Sequence, residues 1–322
     1  MRLSPGRAAA DTFAMDLKLP ARDGVSLAAT FFAASGAPRG AILINSGTGI
    51  PRQFYATFAQ HLATQGLAVL TYDYRGIGQS AAPGDATMEH WGGIDQPSML
   101  DHLARLAPGV SLGLVGHSLG GQVLGLADNI GSVRAAVLIC AQSGHWRHWP
   151  PGRQRLRMAA LWWLLIPVLT VLTGRFPGSW IGTANLPAGV ARSWARWGRS
   201  RHYVCDAEGR ALRPYNNDVA CPVRWLSFTD DPIAPLDAVE ALLAYYPEAA
   251  IDRAHLAPRD LDVAAIGHFG FFRKSMPPEP WTEIADWLGR QLGQTGGRSV
   301  TRETFSCPHL TFLPKSKTAS AG

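Results

Sequence analysis

The stretch that decides the fold is Leu112-Gly113-Leu114-Val115-Gly116-His117-Ser118-Leu119-Gly120-Gly121, followed closely by Val123-Leu124-Gly125-Leu126. An apolar run of strand length enters a glycine-flanked turn, and a second apolar run of helical character leaves it. A serine at the apex of such a junction has a strained backbone that lifts its Oγ clear of the sheet, and only glycine leaves room for the close approach on either side. The backbone N–H of Leu119, at the start of the expected helix, can then point at a developing oxyanion. Without its strand and helix the Gly-x-Ser-x-Gly pattern is a weak signal, and a glycine-rich turn with an idle serine is the alternative.

The neighbouring segments supply the context. Residues 13–19 and 25–32 flank Asp23-Gly24 and predict a hairpin. Ala41-Ile42-Leu43-Ile44 is a short continuous apolar run, as a strand covered on both faces requires. Phe54, Phe58 and Leu62 give residues 54–64 a helical period, and residues 67–72 read as a second buried strand. A helix is then predicted over 97–106, a strand over 111–115, a helix over 119–129 and a strand over 135–140. The alternation resumes with a strand at 222–228, a helix at 235–246, a strand at 249–255 and a helix at 281–292. Strands alternating with helices predict an α/β fold, with a mostly parallel eight-stranded sheet and helices on both faces.

Residues 145–215 break that rhythm. They hold seven of the eleven tryptophans and eleven arginines, against two acids, Asp206 and Glu208. The expected organisation is therefore a first part of the core (1–144), an inserted helical cap (145–215), a second part of the core (216–292) and a disordered tail (293–322) ending in KSKTASAG.

Composition limits the rest. With 322 residues, 47% apolar and 17% charged, the chain can bury a substantial core. A net charge of +6 favours anionic partners, but no zinc-finger, RRM or helix-turn-helix signature accompanies it, so nucleic acid is not expected. The four cysteines are widely spaced and suggest neither a disulfide framework nor a metal site. Residues 1–16 lack a continuous apolar core of the kind a signal peptide needs, so a cytoplasmic location is expected. Residues 158–172, MAALWWLLIPVLTVL, carry no charge, are edged by Arg157 and Arg175, and include Pro167. Fifteen residues fall short of the ~20 that span a bilayer. The first reading is a lid helix, buried or facing substrate; the second is a peripheral contact with a membrane surface.

A serine hydroxyl is a poor nucleophile at neutral pH and needs a base, and the base needs a carboxylate to hold its tautomer. Leu226-Ser227-Phe228-Thr229-Asp230-Asp231-Pro232 places two carboxylates just past a strand's C-terminal end, the edge where ligands bind in open α/β sheets. Either can serve, the other then capping the turn. Gly267-His268-Phe269-Gly270 lies in the loop after the last strand, the one histidine of ten in such a setting. A second oxyanion amide would come from Asn45-Ser46-Gly47-Thr48-Gly49, directly after a buried strand. That loop lacks the lysine of a phosphate-binding loop.

Taken together, NSGTG (45–49), YDYRGIGQS (72–80), GHSLGG (116–121), FTDDPIAP (228–235) and GHFGFF (267–272) resemble the α/β-hydrolase superfamily. The likeness spans residues 20–292 and is nearest to bacterial predicted hydrolases of the serine-aminopeptidase-like and lipase-like group. It implies the α/β-hydrolase fold with an inserted cap and a triad of Ser118, Asp231 and His268, the acid falling on Asp231 of a D-x-x-x-P pattern ending at Pro235. Residues 73–80 are implied to be a structural turn. Asn45-Ser46 stand where the family commonly has His-Gly, leaving Gly47 or Thr48 to join Leu119 as oxyanion donor. The resemblance further implies acyl-enzyme cleavage of a small carboxylic ester or thioester, with no cofactor and no metal. Acyl transfer by the same triad and non-catalytic binding are the alternatives; peptidase activity is implied by the family's name and by no residue. Trp146, Trp149, Trp162 and Trp163 suggest an apolar acyl pocket. Arg147, Arg153, Arg155 and Arg157 either attract an anionic group of the substrate or solvate the outside of the cap.

Overall fold

The structure, a computed structural model, describes residues 14–84 and 86–293. In chain order the strands are β1 (Ala14–Pro20), β2 (Ser26–Phe32), β3 (Gly40–Asn45), β4 (Leu67–Tyr72), β5 (Leu112–His117), β6 (Val133–Ile139), β7 (Arg175–Phe176), β8 (Leu186–Pro187), β9 (Pro222–Phe228) and β10 (Ala250–Leu256). Eight of them form one sheet in the order β1-β2-β4-β3-β5-β6-β9-β10, while β7 and β8 pair with each other. The contacts β1 to β2 and β2 to β4 are antiparallel, and the remaining five are parallel. Every residue of β3, β4 and β5 is buried, which is why these strands read as unbroken apolar runs. At the edge, β1 is mostly exposed.

The strand order reverses between β3 and β5, whose register ends on Asn45 opposite Gly116. Crevices at such reversals, beyond the carboxyl ends of the strands, are where open α/β sheets take ligands. The loop after β3 and the turn holding Ser118 therefore lie side by side. The sheet is covered by α1 (Ala56–Thr64), α3 (Gln96–Leu106), α7 (Leu236–Leu243) and α8 (Pro278–Gly293), with the three-residue α2 (Met88–His90) preceding α3. The turn at residues 73–80 is a scaffold. Buried Asp73 accepts from the Arg52 guanidinium at 2.6 Å and from the amides of Arg52 and Gln79, and buried Arg75 pairs with Asp95 at 2.6 Å.

Two departures from the sequence reading have physical causes. No α-helix follows Ser118: residues 119–129 hold only short 3-10 turns at Ser118–Gly121 and Leu124–Leu126. Gly120, Gly121 and Gly125 lower helix propensity here, and the carbonyls a helix would use are taken by distant groups. Gly121 O accepts from Tyr246 Oη, Leu124 O from Gln96 Nε2 and Gly125 O from the Tyr215 amide. The second departure is in residues 145–215, the stretch expected to form an inserted cap. There α4 (Arg153–Ala160), a π turn at Leu161–Leu165 and α5 (Ile166–Thr173) run on as one 21-residue helix. The π turn at Leu161–Leu165 immediately precedes Ile166-Pro167, and its widened backbone accommodates within the continuous helix the hydrogen bond that the proline cannot donate. That helix is long and apolar enough to cross a membrane by length and composition, contrary to the shorter segment read from the sequence. Later in the same stretch α6 (Ala188–Arg199) packs against α5. The tail expected from residue 293 lies, beyond Gly293 itself, outside the described residues. Of the cysteines, Cys140, Cys205 and Cys221 are buried free thiols, and Cys307 lies outside the described residues.

Candidate active site

Ser118 occupies the first position after β5 with φ of 51°, a left-handed conformation that costs a non-glycine residue of the order of 1–3 kcal/mol. Glycine is needed beside it because a Cβ on Gly120 would stand 2.2 Å from the Asn45 carbonyl oxygen. The serine is 7% exposed and faces a cavity of about 150 Å³. His268 faces the same cavity, from the loop between β10 and the 3-10 turn at Gly270–Phe272. Its Nδ1 lies 2.7 Å from Asp231 Oδ2. In this resting geometry Ser118 Oγ has no hydrogen-bond partner among the described residues; such contacts commonly tighten only when substrate is bound.

The two neighbouring aspartates have different partners. Asp231 Oδ1 accepts from the amides of Ile233 (2.8 Å) and Ala234 (3.1 Å), leaving Oδ2 for the histidine. Asp230 Oδ2 accepts from the Ile266 amide at 2.8 Å and so ties down the start of the histidine loop. Burial by itself would raise the Asp231 carboxyl, but His268 and the two amides outweigh it and hold it below its ordinary value of 3.8.

His117, next to the serine, joins the pieces. It is fully buried, and burial followed by the neighbouring His268 pushes its pKa down to about 3, so the ring is neutral. Its Nε2 lies 2.8 Å from the His268 carbonyl oxygen, which can only accept; Nε2 therefore carries the proton. Nδ1 then accepts from Tyr55 Oη at 2.7 Å, and Tyr55 Oη accepts from the Gly47 amide at 2.9 Å. One pair of side chains thus links the loop after β3, the serine turn and the histidine loop.

That chain of bonds corrects one sequence expectation. The Gly47 N–H is already donated to Tyr55, so it is not free for an oxyanion. Thr48 lines the cavity with Ser118. Leu119 is the second residue of the 3-10 turn, where a backbone N–H has no intrahelical partner.

Of the four tryptophans expected to line a pocket, Trp149 and Trp162 do so. Trp146 and Trp163 do not: they meet each other edge to face at 5.4 Å away from the cavity, with Trp163 exposed on the outer side of the cap helix. The cavity wall also includes Gln122, Gln142, Trp194 and Tyr203, none of which sequence reasoning singled out. Gln122 follows Ser118 by four residues, but with no helix there that spacing marks no shared face. Tyr203 Oη donates to Gln122 Oε1 at 2.7 Å, and Gln122 Nε2 to Gln142 Oε1 at 3.1 Å. No arginine, lysine or carboxylate is among the described residues lining the cavity, so the arginines at 147, 153, 155 and 157 do not reach it. Among the described residues one cluster has metal-ligand spacing, Cys140 with Asp231 and His268, all within 4.8 Å. Its carboxylate and imidazole are bonded to each other, and burial pushes the Cys140 thiol well above its ordinary value, which makes it a poor ligand.

Comparison with known proteins follows the same lines. A sequence profile of the serine aminopeptidase S33 family (Hydrolase_4) matches residues 36–196, half of the chain. The chain belongs to that family. No curated protein matches it. Among solved structures, this S33-family chain is similar to a soluble variant of monoglyceride lipase from Saccharomyces cerevisiae in complex with a substrate analogue. The TM-score is 0.63 at 15% identity, covering 90% of this chain and 99% of that one. It is also similar to DcsB in complex with its substrate analogue (TM-score 0.61, 16% identity, 88% and 100% covered). An esterase from Exiguobacterium antarcticum gives a TM-score of 0.56 at 14% identity, with 85% and 99% covered. These similarities establish the α/β-hydrolase fold.

Proposed function

We propose that this protein is a serine hydrolase that cleaves a carboxylic ester or thioester of an uncharged, largely apolar acyl compound. The observation that carries the reading is the 2.7 Å pair of His268 Nδ1 and Asp231 Oδ2 opening on the same cavity as the strained Ser118. With Nδ1 held by Asp231, His268 presents Nε2 as a base. It removes the Ser118 proton as Oγ attacks the carbonyl carbon, and the carbonyl oxygen becomes an oxyanion. The amides of Leu119 and Thr48 are the donors to that oxyanion, each lowering the rate-limiting barrier by about 3 kcal/mol. His268 then passes its proton to the leaving alcohol or thiol, and the acyl group remains on Ser118. A water deprotonated by His268 releases the acid and restores the serine.

The substrate class rests on the lining. Tryptophans and aliphatic side chains dominate it; apart from Ser118 and His268 its polar groups are all uncharged, the amides of Gln122 and Gln142, the Tyr203 phenol and the threonines at 48 and 183. An aminopeptidase would need an acid to meet a substrate's ammonium group, and no carboxylate is among the described residues lining the cavity. Met158, Leu161 and Trp162 of the helix form one wall, which favours a substrate with an apolar chain.

The test is labelling with a fluorophosphonate. Wild type is expected to label and Ser118→Ala not to; labelling that persists in the alanine variant places the nucleophile elsewhere. A chain-length series of p-nitrophenyl esters then measures the depth of the pocket.

A further inference from the structure

The cap helix has two faces. Trp162, Ile166 and Thr170 are buried at helical spacing, Trp162 meeting Trp194 of α6 edge to face at 4.8 Å. On the other side Leu156, Trp163, Leu164, Val168, Val171 and Leu172 are exposed, from 44% to 78%. Nearby Trp180 is 61% exposed. Isolated exposed leucines need no explanation, but a contiguous apolar stripe along 21 residues does.

Charge accompanies that stripe. Residues 145–205 contain nine arginines and no aspartate or glutamate. Arg153 and Arg157 stand on the first two turns of the helix and Arg175 just past its end, all three exposed and in no ion pair among the described residues. None lines the cavity, so their charge is not used there.

We propose that this face of the cap docks on an anionic lipid bilayer, with the helix lying in the plane of the interface. An apolar face flanked by arginine is what such a helix requires: the aliphatic and tryptophan side chains enter the acyl boundary and the guanidinium groups meet the headgroups. The helix does not cross the bilayer, because its opposite face is fixed against α6 and into the cavity wall. Docking so oriented sets Met158, Leu161 and Trp162 between the membrane and Ser118, a direct route for a lipid-borne ester. That route rests on the proposed hydrolase activity; the docking itself stands on separate residues.

The experiment uses the full chain carrying Ser118→Ala, so that no lipid is hydrolysed, and vesicles of phosphatidylcholine with or without 30–40% phosphatidylglycerol (roughly the charge density of an anionic leaflet). Cosedimentation is expected with the anionic vesicles and to weaken steeply with added salt. Val171→Asp with Leu172→Asp should reduce partitioning at least about ten-fold. Arg153→Glu with Arg157→Glu should reduce it more than about twenty-fold, since each arginine near the surface contributes about five-fold. Neither pair, placed on the active background, should change kcat/KM for a short water-soluble ester. Equal binding to neutral vesicles, no binding to either, or a dimer dissolved by Val171→Asp would each overturn the proposal. Fluorophosphonate labelling without vesicle binding removes only the docking; vesicle binding without labelling removes only the hydrolase.

Discussion

Replacing Tyr55 by phenylalanine isolates the bond that joins three loops of the site. The ring stays, with its edge contacts to His117 at 5.8 Å and Phe272 at 4.9 Å, and only the hydroxyl is lost. Two buried groups then lose their partner: the Gly47 amide and His117 Nδ1. Each such orphan costs about 1–3 kcal/mol, so a stability loss of about 2–6 kcal/mol is expected from denaturant unfolding. A purely structural role would end there. The Gly47 amide, however, fixes the loop that carries the Thr48 amide, and His117 fixes the backbone of His268. Removing an oxyanion donor outright costs about 100- to 1000-fold in kcat. Loosening the loop while keeping the donor should cost about ten-fold, with KM unchanged because the apolar lining is untouched. The assay is steady-state hydrolysis of a short p-nitrophenyl ester under conditions where the variant is fully folded. A kcat within two-fold of wild type would refute the positioning role and leave Tyr55 as a core residue.

Three further outcomes are expected. Asp231→Asn should lower kcat by about 10⁴-fold, because the amide no longer holds the histidine in the tautomer with Nε2 free; a loss under ten-fold, by the same assay, would remove Asp231 from the triad. His117 is neutral in the fold down to about pH 3 but takes a proton near pH 6.5 when unfolded, so its contribution to stability is complete above pH 6.5 and is lost as pH falls toward 3. The slope is about 1.4 kcal/mol per pH unit, and His117→Gln should remove that component from urea midpoints measured between pH 4 and 6.5; an unchanged slope would contradict it. A Cβ on Gly198 would meet the Trp162 ring at 2.4 Å, so Gly198→Ala should push the indole into the cavity and shift the ester series toward shorter chains, an effect absent if Trp162 does not bound the acyl site.

Residues whose environment is set by neighbours in sequence were legible, and those set by distant contacts were not. The central strands announced themselves because burial on both faces demands a continuous apolar run, and β4 and β9 fall where residues 67–72 and 222–228 predict them. Two members of the candidate triad, Ser118 and Asp231, have a similar local mark, lying within three residues of the ends of β5 and β9, whereas His268 lies twelve residues beyond the end of β10. Asp230 and Asp231, by contrast, differ by one position, and only the fold reveals that one holds Ile266 and the other His268. Nothing local foretold that Gly47 would give its amide to Tyr55, a hydroxyl eight residues away that also answers to His117. Residues 145–215 were the hardest to read, since tryptophan and arginine suit both a pocket and an outer surface. The helix phase separates them, sending Trp162 inward and Trp163 outward.

The missing helix after Ser118 changes what the proposed oxyanion site can draw on. A long helix would add its macrodipole to the leading amides; a 3-10 turn of four residues has little dipole to add. Stabilisation of an oxyanion here must therefore come from the Leu119 and Thr48 amides at hydrogen-bond range, and their placement becomes the critical quantity. Asn45, standing where the family commonly has histidine, serves that placement. Its Nδ2 donates to Gln96 Oε1 at 2.5 Å and to the Gly120 carbonyl at 3.3 Å, while its Oδ1 accepts from Tyr72 Oη at 2.9 Å. Gly121 is held in turn through its carbonyl by Tyr246. The strain at Ser118 is thus borne by side-chain bonds from α3, β3 and the segment after α7 instead of by a helix of its own. The proposed site is thus held from two sides where the strand order reverses, Asn45 gripping the serine turn through Gly120 and Tyr55 gripping the Thr48 loop through Gly47.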